Sequence, residues 1–348
     1  MSAPVVYSTQ SYGYLADELC VLGGYTRGQV EVRHFPDGER YQRVLHPRLV
    51  PTVLVGGTVS DQDTLEFFDL ACELANSATS LTLILPYYGY STMERSVHPG
   101  EVVTAKTRAR LLSAIPQAPG GNRVLFLDLH SPGIPHYLES GLGHTHLYAK
   151  NLVEKLCRKL VSDDFVLAST DSGRAQWVES LAHDIGVGAS FVFKQRLDGA
   201  TTKVLAVQAL VQDRKVIIYD DMIRTGSSLL KAAEAYRAAG AVEVFAVATH
   251  GVFPGDSLER LKASGLISRV ATTDSHPRAQ QLKGDFLDVV SVALDTARPH
   301  SQPRILTFSD TRPPSRGDLQ SERRKKTPAK RPRSSSPPGR FYWSAGSP

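Results

Sequence analysis

The sequence predicts an α/β fold of mostly parallel sheets flanked by helices. Three observations carry that expectation. Short, nearly continuous apolar runs alternate with segments of helical period, and several of those runs end in polar or acidic residues. Strands that are apolar on both faces belong to parallel sheets covered by helices on each side. A chain of 348 residues, 41% hydrophobic and 22% charged, suits a soluble globular protein of about two ordinary domains. In such sheets ligands bind beyond the carboxyl ends of the strands.

In chain order, the strand candidates are VEVRHF from Val30, TVLVGG from Thr52, LTLILPYY from Leu81, RVLFLDLH from Arg123, DFVLAST from Asp164, ASFVFKQR from Ala189, KVIIYDD from Lys215, VEVFAVATHGVF from Val242 and RVATTDS from Arg269. Helical patterns lie between them: DQDTLEFFDLACELANS from Asp61, HLYAKNLVEKLCRKL from His146, AQWVESLAHDI from Ala175, SLLKAAEAYRAAGA from Ser228 and DSLERLKASG from Asp256. Each half carries a strand, a helix and a polar strand end, TVLVGG before DQDTLEFF and KVIIYDD before MIRTGSSLL. A boundary near residue 150 divides the body into domains at 1–150 and 151–310, read as a duplication.

The net charge of +5 is concentrated in RPPSRGDLQSERRKKTPAKRPRSSSPPGR, residues 312–340. Rich in Lys, Arg, Pro and Ser and without apolar period, residues 311–348 read as a disordered basic tail. A nuclear address or a nonspecific nucleic-acid contact is the alternative role for that run. Without it the body is near neutrality, so charge gives no case for nucleic-acid binding by the folded part. No run of about 18 apolar residues exists, so no membrane partner is expected. The N-terminus lacks the basic region and apolar stretch of a secretory leader, which makes the cytoplasm the expected address. Cys20, Cys72 and Cys157 are odd in number and widely spaced, as reduced core thiols would be.

The most informative stretch is VIIYDDMIRTGSSLLKAA, residues 216–233. Two like charges, Asp220 and Asp221, end an apolar strand, and Thr225, Gly226, Ser227 and Ser228 lead into a helix. Backbone N–H groups at a helix start, aided by its dipole and by small side chains, suit a phosphate group. The carboxylates would accept hydrogen bonds from the hydroxyls of an attached sugar or hold its metal. A capped helix with solvated acids explains one acid or hydroxyl but not the whole string.

That string resembles the phosphoribosyl-pyrophosphate motif of type I phosphoribosyltransferases and of ribose-phosphate pyrophosphokinases. Phe35-Pro36-Asp37-Gly38-Glu39, PYYGY from Pro86, Asp128-Leu129-His130, and the segment 169–174, STDSGR, occur in the order and spacing of the pyrophosphokinases. VFKQR at Val192 and THGVF at Thr249 extend the resemblance over roughly residues 5 to 310. It implies two tandem type I phosphoribosyltransferase-like domains. It also implies a ribose-phosphate diphosphokinase that moves pyrophosphate from ATP to the C1 hydroxyl of ribose 5-phosphate.

By the same resemblance, Phe35, Asp37 and Glu39 lie on a loop reaching into a neighbouring subunit's nucleotide site, which implies at least a homodimer. Asp128 and His130 alternate at a strand end, so both face one way. The resemblance puts them near magnesium and the ATP phosphates, Asp128 being the better oxygen ligand. Asp171 is expected near the ribose hydroxyls, with a plain helix cap as the alternative. Lys194 and Arg196, at alternate positions, are expected to clamp the phosphates in the transition state.

Some positions depart from the family pattern. Gln195 stands where the family usually has Arg, and Thr92-Met93 replaces an Arg-Gln pair that contacts ATP. Arg95 or Lys106 is then the substitute cation, and Arg95 is taken as an ATP contact. Arg224 replaces a frequent acid, and Ser227-Ser228 the commoner Gly-Thr. A catalytically inactive regulatory paralogue, or a phosphoribosyltransferase that consumes phosphoribosyl pyrophosphate, are the alternatives. FPDGE and DLH argue against the second, and the retained Lys194, Arg196, Asp128, His130 and paired aspartates against the first.

Overall fold

Two six-stranded parallel sheets of like topology carry the protein in a computed structural model. Residues 3–293 are described, apart from 140, 163, 199–200 and 208–210, with backbone alone at 172, 192–198 and 201–207. The basic segment 311–348 lies outside the described residues.

The first half runs β1 (Val5–Ser8), α1 (Gly13–Gly23), β2 (Thr26–Arg27), β3 (Gln29–His34), β4 (Arg40–Leu45), β5 (Pro51–Val55), α2 (Asp61–Ser77), β6 (Ser80–Leu85), α3 (Thr104–Ser113), β7 (Asn122–Leu127) and β8 (Gly143–Leu147). The second runs α4 (Lys150–Leu160), β9 (Phe165–Ser169), α5 (Ala175–Ile185), β10 (Gly188–Ser190), β11 (Val192–Asp198), β12 (Thr201–Val207), β13 (Lys215–Ile223), α6 (Ser227–Ala238), β14 (Glu243–Gly251), α7 (Ser257–Ala263), β15 (Val270–Thr273), α8 (Pro277–Leu282) and β16 (Leu287–Val290).

The sheets have the orders β2-β1-β5-β6-β7-β8 and β10-β9-β13-β14-β15-β16. Position for position these are one topology. Each half also inserts an antiparallel ribbon between its edge strand and the strand across the switch in order: β3–β4 in the first, β11–β12 in the second. The duplication is thus plainer in topology than in sequence.

Burial explains why the halves hold together. One apolar cluster joins Val6, Leu15 and Leu125 of the first half to Leu152, Phe165, Ile217 and Val247 of the second. Each such buried side chain contributes about 1.5–3 kcal/mol. Tyr12, fully buried, donates its hydroxyl to the Ser275 carbonyl at 2.8 Å, and Tyr14 donates to the carbonyl of Asp274. The two sheets accordingly lie in one compact unit.

Tyr12 also fills the first sheet's crevice. After β5 the chain has Gly56-Gly57, and a β-carbon on Gly57 would stand 2.5 Å from the Tyr12 ring. The equivalent point in the second sheet carries Asp220 and Asp221 instead.

All nine strand candidates contain a strand, with three differences from expectation. VEVRHF lies in the half-exposed β3–β4 ribbon rather than in a parallel sheet. ASFVFKQR is broken at Phe191 into β10 and β11. His146 and Leu147, expected in a helix, pair with Phe126 and Leu127 in β8, and the helix begins at Lys150. Sheet pairing there outweighs local propensity. The cysteines are unpaired, and Cys157 is buried.

Candidate active site

The second sheet's topological switch point lies between β9 and β13. β9 pairs with β13 only as far as Ser169 opposite Tyr219, so β13 continues alone on that side through Asp220, Asp221, Met222 and Ile223. The opening forms a cavity of about 630 Å³. Asp171, Asp220, Asp221, Thr225, Gly226, Ser227 and Ser228, all expected in a sugar-phosphate site, line it together with His130. Sequence reasoning did not single out Arg174, which also lines it.

Local chemistry shapes each wall. Gly226 adopts φ +77°, a left-handed conformation that glycine takes without penalty, and turns the chain into α6 at Ser227. Thr225 and Ser227 hydroxyls lie 3.2 Å apart beside that turn. Asp171 accepts the Gly173 N–H at 2.9 Å, closing a short turn before α5.

The paired acids are not equivalent. Asp221 is buried, 2% exposed, and its Oδ2 lies 2.7 Å from both His130 Nδ1 and Arg174 Nη2. Burial pushes its carboxyl up, but the His130 hydrogen bond and the Arg174 charge overcome that and hold it well below the usual range. Asp220 makes no ion pair among the described residues, and the more distant Arg174 charge lowers it only weakly. Burial, followed by the charge of Asp221, pushes its carboxyl up to about 7, against a hydrogen bond donated by Thr170 Oγ1 at 3.0 Å. Like charges side by side are thus resolved by separating their protonation ranges.

His130 is raised from its ordinary value, chiefly by the bond to Asp221. Its Nδ1–H donates to Asp221, so that nitrogen does not accept from Arg174, 3.3 Å away. Arg174 instead reaches the His130 carbonyl, also at 3.3 Å.

Asp128 does not line the cavity. Its carboxylate is buried and accepts the Tyr219 hydroxyl at 3.0 Å and the Thr249 hydroxyl, both on Oδ2. Its backbone takes φ +43°, with its N–H on the Leu147 carbonyl and its own carbonyl 3.2 Å from His250 Nε2. Trp177 stacks on Tyr219 at 4.0 Å between ring centroids. Asp128 therefore ties the end of β7 to β13, two residues before His130. A tyrosine in an otherwise apolar strand was the available signal, since a buried hydroxyl needs a partner.

The model for the N-terminal domain of ribose phosphate pyrophosphokinase matches residues 4–115, and that for the phosphoribosyl synthetase-associated domain matches 196–298. A ribose-phosphate pyrophosphokinase from Caldanaerobacter subterraneus is 31% identical over 292 residues, 83% of this chain and 90% of the relative. The chain belongs to the ribose-phosphate pyrophosphokinase family. A second family member, from Synechococcus elongatus, is 32% identical over 295 residues, 83% of this chain and 87% of that one. The crystal structure of phosphoribosylpyrophosphate synthetase from Mycobacterium smegmatis superposes with a TM-score of 0.72 at 26% identity, over 84% of this chain and 95% of that one. The fold is that of tandem type I phosphoribosyltransferase-like halves.

The remaining residues that the resemblance to ribose-phosphate pyrophosphokinases had implicated sit elsewhere. Phe35, Asp37 and Glu39 form the exposed tip of the β3–β4 ribbon and do not line the cavity. Gly38 turns that tip at φ +93°, and Phe35 is 50% exposed. Arg95 is also exposed and off the cavity, 3.7 Å from Glu94, whereas Thr92 lines it. The side chains of Lys194 and Arg196 lie outside the described residues; the backbone at both is β11.

Proposed function

We propose that the protein is a ribose-phosphate diphosphokinase, transferring the pyrophosphoryl group of ATP to ribose 5-phosphate to give phosphoribosyl pyrophosphate and AMP. The observation that carries the reading is one cavity lined both by the phosphate-type turn 225–228 and by the adjacent acids Asp220 and Asp221.

Ribose 5-phosphate would place its phosphate against the N–H groups and hydroxyls of Thr225, Gly226, Ser227 and Ser228. Asp220, free of cation partners among the described residues, is the better acceptor for a ribose hydroxyl. Asp221 instead holds His130 and Arg174 in the wall. The C1 hydroxyl then attacks the β-phosphorus of ATP in line, and AMP leaves. Such transfer depends on positioning and charge neutralisation, roles that fall to Lys194 and Arg196 from the sequence pattern.

Among the described residues no group of three or more His, Cys, Asp or Glu gathers as a metal cage, so an ion here would rest largely on substrate phosphates and waters, as magnesium, a hard cation, does. Asp171 has no cation partner among the described residues, and the His130 ring is held through Nδ1 by a carboxylate, as metal-binding imidazoles are. Those two would hold it, with Asp128 supporting His130 from behind. When bound, magnesium would neutralise phosphate charge and orient the polyphosphate. The exposed ribbon tip with Phe35, Asp37 and Glu39 is read as completing a partner subunit's nucleotide site, and Arg95 as a further ATP contact. Homo-oligomers, a cytoplasmic location and domains meeting near residue 150 complete the reading.

Purified protein supplied with magnesium, ATP and ribose 5-phosphate should release AMP only when the sugar phosphate is present. AMP release independent of ribose 5-phosphate would refute this reading.

A further inference from the structure

Two guanidinium groups among the described residues line the cavity, and only one is neutralised. Arg174 lies 2.7 Å from the Asp221 carboxylate. Arg224 is exposed and makes no ion pair or hydrogen bond to any described residue. It follows β13 directly and precedes the turn of Thr225 and Gly226. Burial raises the Tyr87 hydroxyl, and the charges of Arg224 and Asp221 act on it in opposite directions. Thr92, which also lines the cavity, brings a hydroxyl and no charge.

A cation left open toward a cavity, beside backbone N–H groups at a helix start, lacks only an anion. We infer that Arg224 binds the phosphate group of ribose 5-phosphate and sets the site's preference for the phosphorylated sugar. The assignment rests on the ribose 5-phosphate reading of the cavity. Turn and side chain then grip the phosphate from two directions, and Asp220 remains available to the sugar hydroxyls.

The test is calorimetric titration of full-length wild type, Arg224→Gln and Arg224→Lys with ribose 5-phosphate and, separately, with magnesium-ATP. Losing a charge-assisted contact to phosphate should weaken ribose 5-phosphate binding by roughly ten- to a hundredfold in Arg224→Gln. Magnesium-ATP affinity should stay within about twofold, and Arg224→Lys should recover part of the loss. Ribose 5-phosphate affinity in Arg224→Gln within about twofold of wild type overturns the inference, as does an equal loss for both ligands. Arg224-dependent binding by a wild type that yields no AMP would instead uphold the phosphate contact and refute the proposed reaction.

Discussion

His130 Nδ1 lies 2.7 Å from Asp221 Oδ2, and two residues earlier along each segment the Asp128 carboxylate accepts the Tyr219 hydroxyl at 3.0 Å. Tyr219 and Asp221 lie two positions apart on β13 and share a face, whereas β7 ends at Leu127 and Asp128, at φ +43°, carries the chain off the strand toward His130. The second pair is buried and structural, while the first reaches the cavity wall. The contacts of Asp128 with Tyr219 and of His130 with Asp221 together hold the segment after β7 beside the acids.

The His130–Asp221 pair should stabilise the fold within a definite pH window. Asp221 is depressed in the fold, so its contribution is present above its ordinary 3.8 and is lost as pH falls through the folded value. His130 is raised, so its contribution is full below its ordinary 6.5 and is lost as pH rises through the folded value. Urea unfolding of wild type and His130→Gln should differ by about 1 kcal/mol near pH 5.5, a charged hydrogen bond discounted for partial exposure, and by less at pH 8.5.

Asp220 acts in the opposite sense. Its carboxyl is pushed up to about 7 from 3.8, so between those values the folded protein holds a proton that the unfolded chain releases. Its contribution to stability therefore falls as pH rises through that window. Asp220→Asn should remove that fall, read as a flatter dependence of the urea midpoint on pH between 4.5 and 7.5. A dependence unchanged from wild type would mean that Asp220 ionises normally.

Tyr219→Phe keeps the ring that stacks on Trp177 and removes one donor from the buried Asp128 carboxylate. Leaving a buried acceptor short of a partner costs about 1–3 kcal/mol, measurable by urea unfolding. If Asp128 is support rather than a cavity residue, magnesium affinity should change little in this variant.

Gly226→Ala tests the turn. At φ +77° the new β-carbon costs about 1–2 kcal/mol in backbone strain and would stand 2.7 Å from Leu261 Cδ2. The KM for ribose 5-phosphate should rise more than the KM for ATP. Equal effects on both would place the phosphate elsewhere.

What the sequence disclosed depended on how local the signal was. KVIIYDD and the turn after it carry apolar period, acids and small residues within 15 positions, and the structure assembles Asp220 through Ser228 on one cavity. The helix α3 escaped notice because its buried face is built largely from Ala105 and Ala109, whose small side chains leave a faint apolar stripe. β1, β2, β8 and β16 are short, and nothing local sets them apart from turns, while β4 and β12, also unexpected, are strands of antiparallel ribbons. Arg174 sat within a quoted string, yet its value comes from Asp221, 47 positions away, a contact that no local pattern encodes. For Asp128 the expected exposure to ligand gave way to burial, because Tyr219 and Thr249 supply partners from two other strands.

Whether this cavity makes phosphoribosyl pyrophosphate is read from phosphorus NMR of the reaction. With magnesium, ATP and ribose 5-phosphate, the three ATP resonances should give way to AMP and to the two diphosphate resonances of phosphoribosyl pyrophosphate, one for one. ADP with inorganic phosphate, or an unchanged spectrum from folded protein that binds ribose 5-phosphate, would mean that the cavity does not make phosphoribosyl pyrophosphate.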